Sequence, residues 1–326
     1  MIVNYNDKKL KFPDFLIVGA ARSGTTYLYS VLSGHSQVFM PAEKEPQFFC
    51  GYGKLGRKTI ADGKIVKNWQ NYNIDQYSTL FQRAKREQIW GEASVDYLYE
   101  YQITIDNIKK IYQKDAEKLK IIIILRNPVD RIWSHYLFHY TKNSDILSFS
   151  KAIRSEVIGL RLEAGLISNF DYVGYGLYAD KVKAWQENFP HIRIWIYEEF
   201  FNDLERYMLE LTNFLSIETD DRLIVSKKVN SSGVAKHKVA QFFIDRLQKP
   251  EGWKKPIKQV LPQRLRQRLK RQATQKLLQH HDMDPILRRQ LLDFYRDDIK
   301  KLEGILNRDL DIWLKSNNPD HIRGHV

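Results

Sequence analysis

Apolar positions in this chain fall into two patterns. Solid runs stand at residues 15–18 and 121–125, and a nearly solid one at 192–197. Elsewhere apolar residues recur three or four positions apart. A solid, β-branched run matches a parallel strand buried on both faces, and three-to-four spacing is the stripe of an amphipathic helix. On that basis strands are predicted at 15–18, 38–40, 89–93, 120–125 and 192–197. Helices are predicted from 25 to about 33, at 75–84 and 101–112, from 128 to about 140, and at 149–163, 177–188, 200–215 and 285–304. Pro128 suits the first turn of its helix. Strands alternating with helices predict an α/β fold, a three-layer α/β/α sandwich around a central parallel sheet.

The remaining segments are read from composition. Residues 1–14 form a polar lead-in. Residues 51–73 are rich in Gly and Lys without periodicity, and are expected to be a long surface loop. Residues 226–256 open as a mobile basic loop, and 257–314 are expected to supply C-terminal helices. No acidic residue occurs between Glu251 and Asp282, and the basic stretch 254–276 has apolar residues four apart. The whole, 1–326, reads as one domain.

In such sheets ligands bind beyond the carboxyl ends of the strands. The strand at 15–18 runs into Gly19-Ala-Ala-Arg-Ser-Gly24 and then a helix. Strand, tight turn and helix make an anion cradle, because first-turn N–H groups are unpaired and the helix dipole favours negative charge there. Gly24, Thr25 and Thr26 can offer N–H and hydroxyl donors, with Ala21 and Ser23 in the same turn. Arg22 can reach over the anion with its fork of donors. The stretch nearly matches G-x-x-x-x-G-K-[ST], but Thr25 stands at the lysine position. A nucleotide kinase or NTPase is therefore the second reading, weakened by that missing lysine.

Charge narrows the partners. The 326 residues hold 52 Lys and Arg against 39 Asp and Glu, a formal net charge of +13. That suits a polyanionic ligand, nucleic acid or an anionic membrane face. Cys50 is the only cysteine. It forms no intramolecular disulfide and is expected to be a packed small hydrophobe. No run approaches the ~18 apolar residues of a membrane span, and no signal-peptide pattern opens the chain, so a cytoplasmic protein is expected.

A second cluster, Leu125-Arg-Asn-Pro-Val-Asp-Arg-Ile-Trp-Ser-His-Tyr136, brings Arg126 out at a strand end and Ser134 two helical turns later. Together with 19–26 it resembles the sulfotransferases that use 3′-phosphoadenosine 5′-phosphosulfate (PAPS), whose fold is P-loop-like. The resemblance implies that 19–26 holds the 5′-phosphosulfate, and Arg126 with Ser134 the 3′-phosphate. Lys44-Glu-Pro-Gln-Phe-Phe49 is similar to the loop that carries the base in the glycan branch, which acts on heparan sulfate and bacterial glycans. Gly91-Glu-Ala-Ser-Val-Asp-Tyr97 resembles its G-E-x-S-x-x-Y segment, and 176–180 and 298–313 resemble later ones.

The resemblance implies a sulfotransferase moving SO3 from PAPS to a carbohydrate hydroxyl or amine, leaving 3′-phosphoadenosine 5′-phosphate. Glu45 matches the base; a loop Glu paired with Lys44 is the plain alternative. Arg22 stands where relatives carry lysine, so charge stabilisation is its implied role, with Lys44 assisting. Gln47, Glu92, Ser94 and Tyr97 are candidates for acceptor contacts. Lys228, Ser232 and Gly233 are candidates for the late loop over the nucleotide. The family's chemistry needs no metal, and the acceptor is expected to be an acidic poly- or oligosaccharide. A nucleic-acid partner is not expected; peripheral membrane contact is a third use of the basic helix. Oligomeric state does not follow.

Overall fold

The solid apolar runs become the middle of a parallel sheet. A computed structural model describes residues 1–52, 58–61, 64–67, 72–141, 144–166, 170–219 and 283–315. The chain opens with an antiparallel pair, β1 (Ile2–Tyr5) and β2 (Lys8–Lys11). Then come β3 (Phe15–Gly19), β4 (Val38–Phe39), the hairpin β5 (Lys58–Ala61) and β6 (Lys64–Lys67), β7 (Ile89–Ala93), β8 (Lys120–Leu125) and β9 (Ile192–Ile196). The five-stranded sheet has the order β4-β7-β3-β8-β9, and every neighbouring pair in it is parallel.

Both faces of the central strands are covered, as their composition demands. On one face Ile17, Ile122, Ile124 and Trp195 pack with Leu28, Leu32, Met208 and Leu211 from helices Thr25–Ser33 and Leu204–Leu215. On the other, Leu16, Val18, Ile121, Ile123 and Leu125 meet Ile108, Ile132, Trp185 and Leu302. Those four come from helices Tyr101–Tyr112, Pro128–Thr141, Ala179–Asn188 and Pro285–Leu306. The period-two alternation of a strand sends neighbouring residues to opposite layers.

Three expectations are revised. The lead-in is a hairpin, turned by Asn6 and Asp7 with φ of 48° and 60°. Asn and Asp tolerate that conformation, and Asn-Asp is the turn signal between the two short strands. The segment 51–73 carries the hairpin β5–β6. The helices expected at 149–163 and 200–215 are each broken in two. In the second, Asp203 starts a new helix by accepting from the Arg206 N–H (3.4 Å). Among the described residues, no helix is long and apolar enough to cross a membrane.

Candidate active site

Strand β3 delivers the chain into the turn 20–24, and helix Thr25–Ser33 leaves it. Gly24 caps that helix at φ 87°, with no side-chain capping bond and no acidic residue in the first turn. A Cβ there would stand 2.6 Å from the Phe201 ring. Only glycine accepts both the left-handed backbone and that approach. Ala21, Ser23 and Thr25 are buried, and Thr26 is half-buried.

Arg22 also has a left-handed backbone, φ 70°. A non-glycine residue held there costs about 1–3 kcal/mol, a cost that clusters at functional sites. Its Nε donates to Ser134 Oγ (3.2 Å), and its guanidinium lies 4.8 Å from the centre of the Phe138 ring. Burial, and then the charge of Arg126, lower its pKa to about 10. It therefore stays cationic at neutral pH.

Arg126 leaves the carboxyl end of β8. Its Nη1 donates to the Arg22 carbonyl oxygen (3.1 Å), and its guanidinium stacks over Tyr197 at 4.6 Å. The two predicted phosphate motifs, 104 residues apart, are thus one site. The next residue, Asn127, caps helix Pro128–Thr141 by accepting from Val129 N–H (2.9 Å). Glu198 grips this corner through the Asn127 N–H (3.0 Å) and the Trp313 indole (3.0 Å). Asn127 also donates to the Trp313 carbonyl (3.1 Å).

The donor set fits an anion. Among the described residues, the buried Ser23 Oγ and Arg126 Nε have no hydrogen-bond partner. Buried donors left this way cost about 1–3 kcal/mol each unless a ligand satisfies them. They stand beside two guanidiniums and a helix N-terminus with no capping side chain.

The loop of Glu45 lies against the carboxyl end of β7. Glu45 N–H donates to the Ala93 carbonyl (3.1 Å), and Val95 N–H donates to Glu45 Oε2 (2.8 Å). Lys44 pairs with Glu45 Oε1. Strand β7 neighbours β3 directly, so this loop and the cradle share one sheet edge. Glu45 and Gln47 are left-handed as well, at φ 61° and 52°.

Residues 13–221 match the model of the sulfotransferase family. The chain belongs to this family. A sulfotransferase crystal structure from Alicyclobacillus acidocaldarius superposes with a TM-score of 0.68 at 26% identity, over 94% of this chain and 100% of that one. Mouse carbohydrate sulfotransferase 15 is 28% identical over 43% of this chain and 30% of its own length. Mouse heparan sulfate glucosamine 3-O-sulfotransferase 3B1 is 27% identical over 55% and 39%. The chain thus spans less than half the length of these two curated relatives.

Within this member of the family the residues expected at the acceptor sit differently. Glu92, Ser94 and Tyr97 are at most 1% exposed, so they do not line an open acceptor surface. Their register on and after β7 turns them inward, under the Glu45 loop. Gln47 is buried too: its N–H donates to Ser94 Oγ (2.9 Å), and among the described residues its Oε1 has no hydrogen-bond partner. Lys228, Ser232 and Gly233, with the basic stretch 254–276, lie outside the described residues.

The expectation for Cys50 keeps its place, and two buried histidines are structural. Cys50 is buried among Phe48, Phe49 and Tyr97. His35 closes a helix-end turn, with Nε2 3.0 Å from the Glu218 carbonyl. His135 packs on its helix; burial first, then the neighbouring cations, hold its pKa well below the usual imidazole value.

The sequence signalled the 176–180 and 298–313 segments without saying what they do. Asp298, on the last long helix, accepts from Tyr178 N–H (2.6 Å) and Ala179 N–H (3.2 Å). It caps helix Ala179–Asn188 from outside. Tyr178 in turn donates to the Arg126 carbonyl (3.0 Å), which ties this layer to the site.

Proposed function

We propose that the protein transfers the sulfuryl group of PAPS to a hydroxyl or amine of an acidic carbohydrate. The observation that carries this reading is the joining of Arg22, Arg126 and Ser134 in one cluster. A donor with a 5′-phosphosulfate and a separate 3′-phosphate needs two linked anion sites, and ATP has no use for the second. The carbohydrate class is supported by the names of the relatives and by the +13 charge.

When bound, PAPS supplies an activated S–O bond. Turn 20–26 would hold its 5′ end, and Arg126 with Ser134 its 3′-phosphate. Glu45 takes the acceptor's proton as the acceptor atom bonds to sulfur. The bond from sulfur to the phosphate oxygen breaks, and the departing phosphate keeps the electron pair. Arg22 stabilises that charge; as a permanent cation it does so without giving up a proton. Lys44, already paired with Glu45, holds the carboxylate in place until the acceptor arrives.

Thermal shift separates the two nucleotide readings. The melting temperature is expected to rise with 3′,5′-ADP, the desulfated donor product, and to move little with ATP-Mg²⁺. Stabilisation by ATP-Mg²⁺ alone would contradict the proposal.

A further inference from the structure

Glu92 is a carboxyl only 1% exposed, on β7 beneath the Glu45 loop. The proposed transfer does not use it. Its Oε2 accepts from the Tyr97 hydroxyl (2.7 Å) and the Tyr77 hydroxyl (3.1 Å). The Tyr97 oxygen accepts in turn from the Phe49 N–H (3.3 Å), at the far end of the loop. Its neighbours hold the rest of that loop: Ala93 takes the Glu45 N–H, Ser94 the Gln47 N–H, and Val95 bonds Glu45 Oε2. A loop with left-handed backbone at both Glu45 and Gln47 keeps its shape only while such contacts hold it.

We propose that Glu92, as a carboxylate, is a positioning residue that orders this loop through Tyr97 and so holds Glu45 in place at the sheet edge. This rests on the reading of Glu45 as the base. An ionised carboxyl only accepts hydrogen bonds, so both tyrosine protons must point at it. The Tyr97 lone pairs are then left for Phe49. A protonated Glu92 is neutral, so its Oε2 holds both tyrosine protons more weakly, and that order loosens.

The groups facing Glu92 are Tyr77, Tyr97 and Tyr112 from three helices, Ser94, and Glu45 across the loop; Cys50 faces Tyr97, and Lys44 pairs with Glu45. Burial pushes the Glu92 carboxyl up to about 7; hydrogen bonds from Ser94, Tyr97 and Tyr77 oppose the rise, and Glu45 adds to it. The device therefore switches near neutral pH.

The test uses the full chain, labelled PAPS and heparan sulfate, with Glu92→Gln and Tyr97→Phe. In wild type, kcat is expected to rise between pH 6 and 8. In Glu92→Gln that rise is expected to vanish, with kcat at pH 8 roughly tenfold lower and the donor KM within about twofold. A Glu92→Gln profile that overlays wild type overturns the proposal. Amide hydrogen exchange over 43–52 provides a readout that needs no turnover. Exchange there is expected to quicken about tenfold in Glu92→Gln and Tyr97→Phe, with β8 unchanged. Unchanged exchange in the loop overturns the positioning role even if the chain proves to transfer no sulfuryl group, an outcome that would refute the proposed activity separately. Should Glu92→Gln fail to fold, Tyr97→Phe carries the same exchange test.

Discussion

Arg22, Glu45 and Gln47 share an unusual backbone, each with φ between 52° and 70°. Sequence motifs pointed to Arg22 and Glu45 because charge and spacing are visible in a string of letters. Backbone handedness is not, and neither is the direction a strand residue faces. That is why Glu92, Ser94 and Tyr97 were expected at the acceptor when they are buried beneath the loop. Glu92 yields a residue-scale prediction. Its pKa rises from 4.5 to about 7 on folding, so between those values the native state binds more protons than the unfolded chain. Stability is then fully present below pH 4.5, falls as pH rises to about 7, and levels off above it. The shift corresponds to about 3 kcal/mol. Urea melts across pH 5–8 are expected to show the decline in wild type and to lack most of it in Glu92→Gln. A flat wild-type profile would place the carboxyl in a wetter setting.

Elements were legible where a single layer decides them. β7 and β8 fall at the predicted residues because both faces of each strand are buried and no other period fits. The hairpin β1–β2 was missed because a four-residue strand has too few positions to establish a period. The breaks near 153 and at Asp203 were missed because a continuous apolar stripe spans both. Helix Ala179–Asn188 is the clearest case of tertiary control: it has no side-chain cap of its own, and Asp298 supplies one from 119 residues away. Asp298→Ala removes acceptors for two backbone donors. It is expected to cost about 1–2 kcal/mol and to lower the melting temperature by a few degrees. Loss of donor affinity well beyond that of other variants equally destabilised would mean that the Tyr178–Arg126 link transmits the change to the site.

Across the whole molecule, helices on both faces leave the carboxyl ends of β7, β3 and β8 as one edge; the cradle turn and the Arg126 segment emerge there, and the Glu45 loop lies against it. That placement followed from α/β topology alone. The acceptor did not follow, since net charge selects a sign and not a structure. The charge does carry a prediction. If +13 helps gather an acidic saccharide, its KM rises several-fold between 50 and 300 mM salt, while the KM of a neutral saccharide stays nearly constant. Equal salt sensitivity for both would remove charge from acceptor recognition.

The proposed base for sulfuryl transfer is Glu45, at the edge where Arg22 and Arg126 meet. Its decisive test is transfer of label from PAPS to a glycan panel by wild type and Glu45→Gln side by side. Transfer by wild type is expected, with a fall of roughly 10²–10⁴-fold in Glu45→Gln and equal stabilisation of both by 3′,5′-ADP. Near-normal turnover in Glu45→Gln would contradict it.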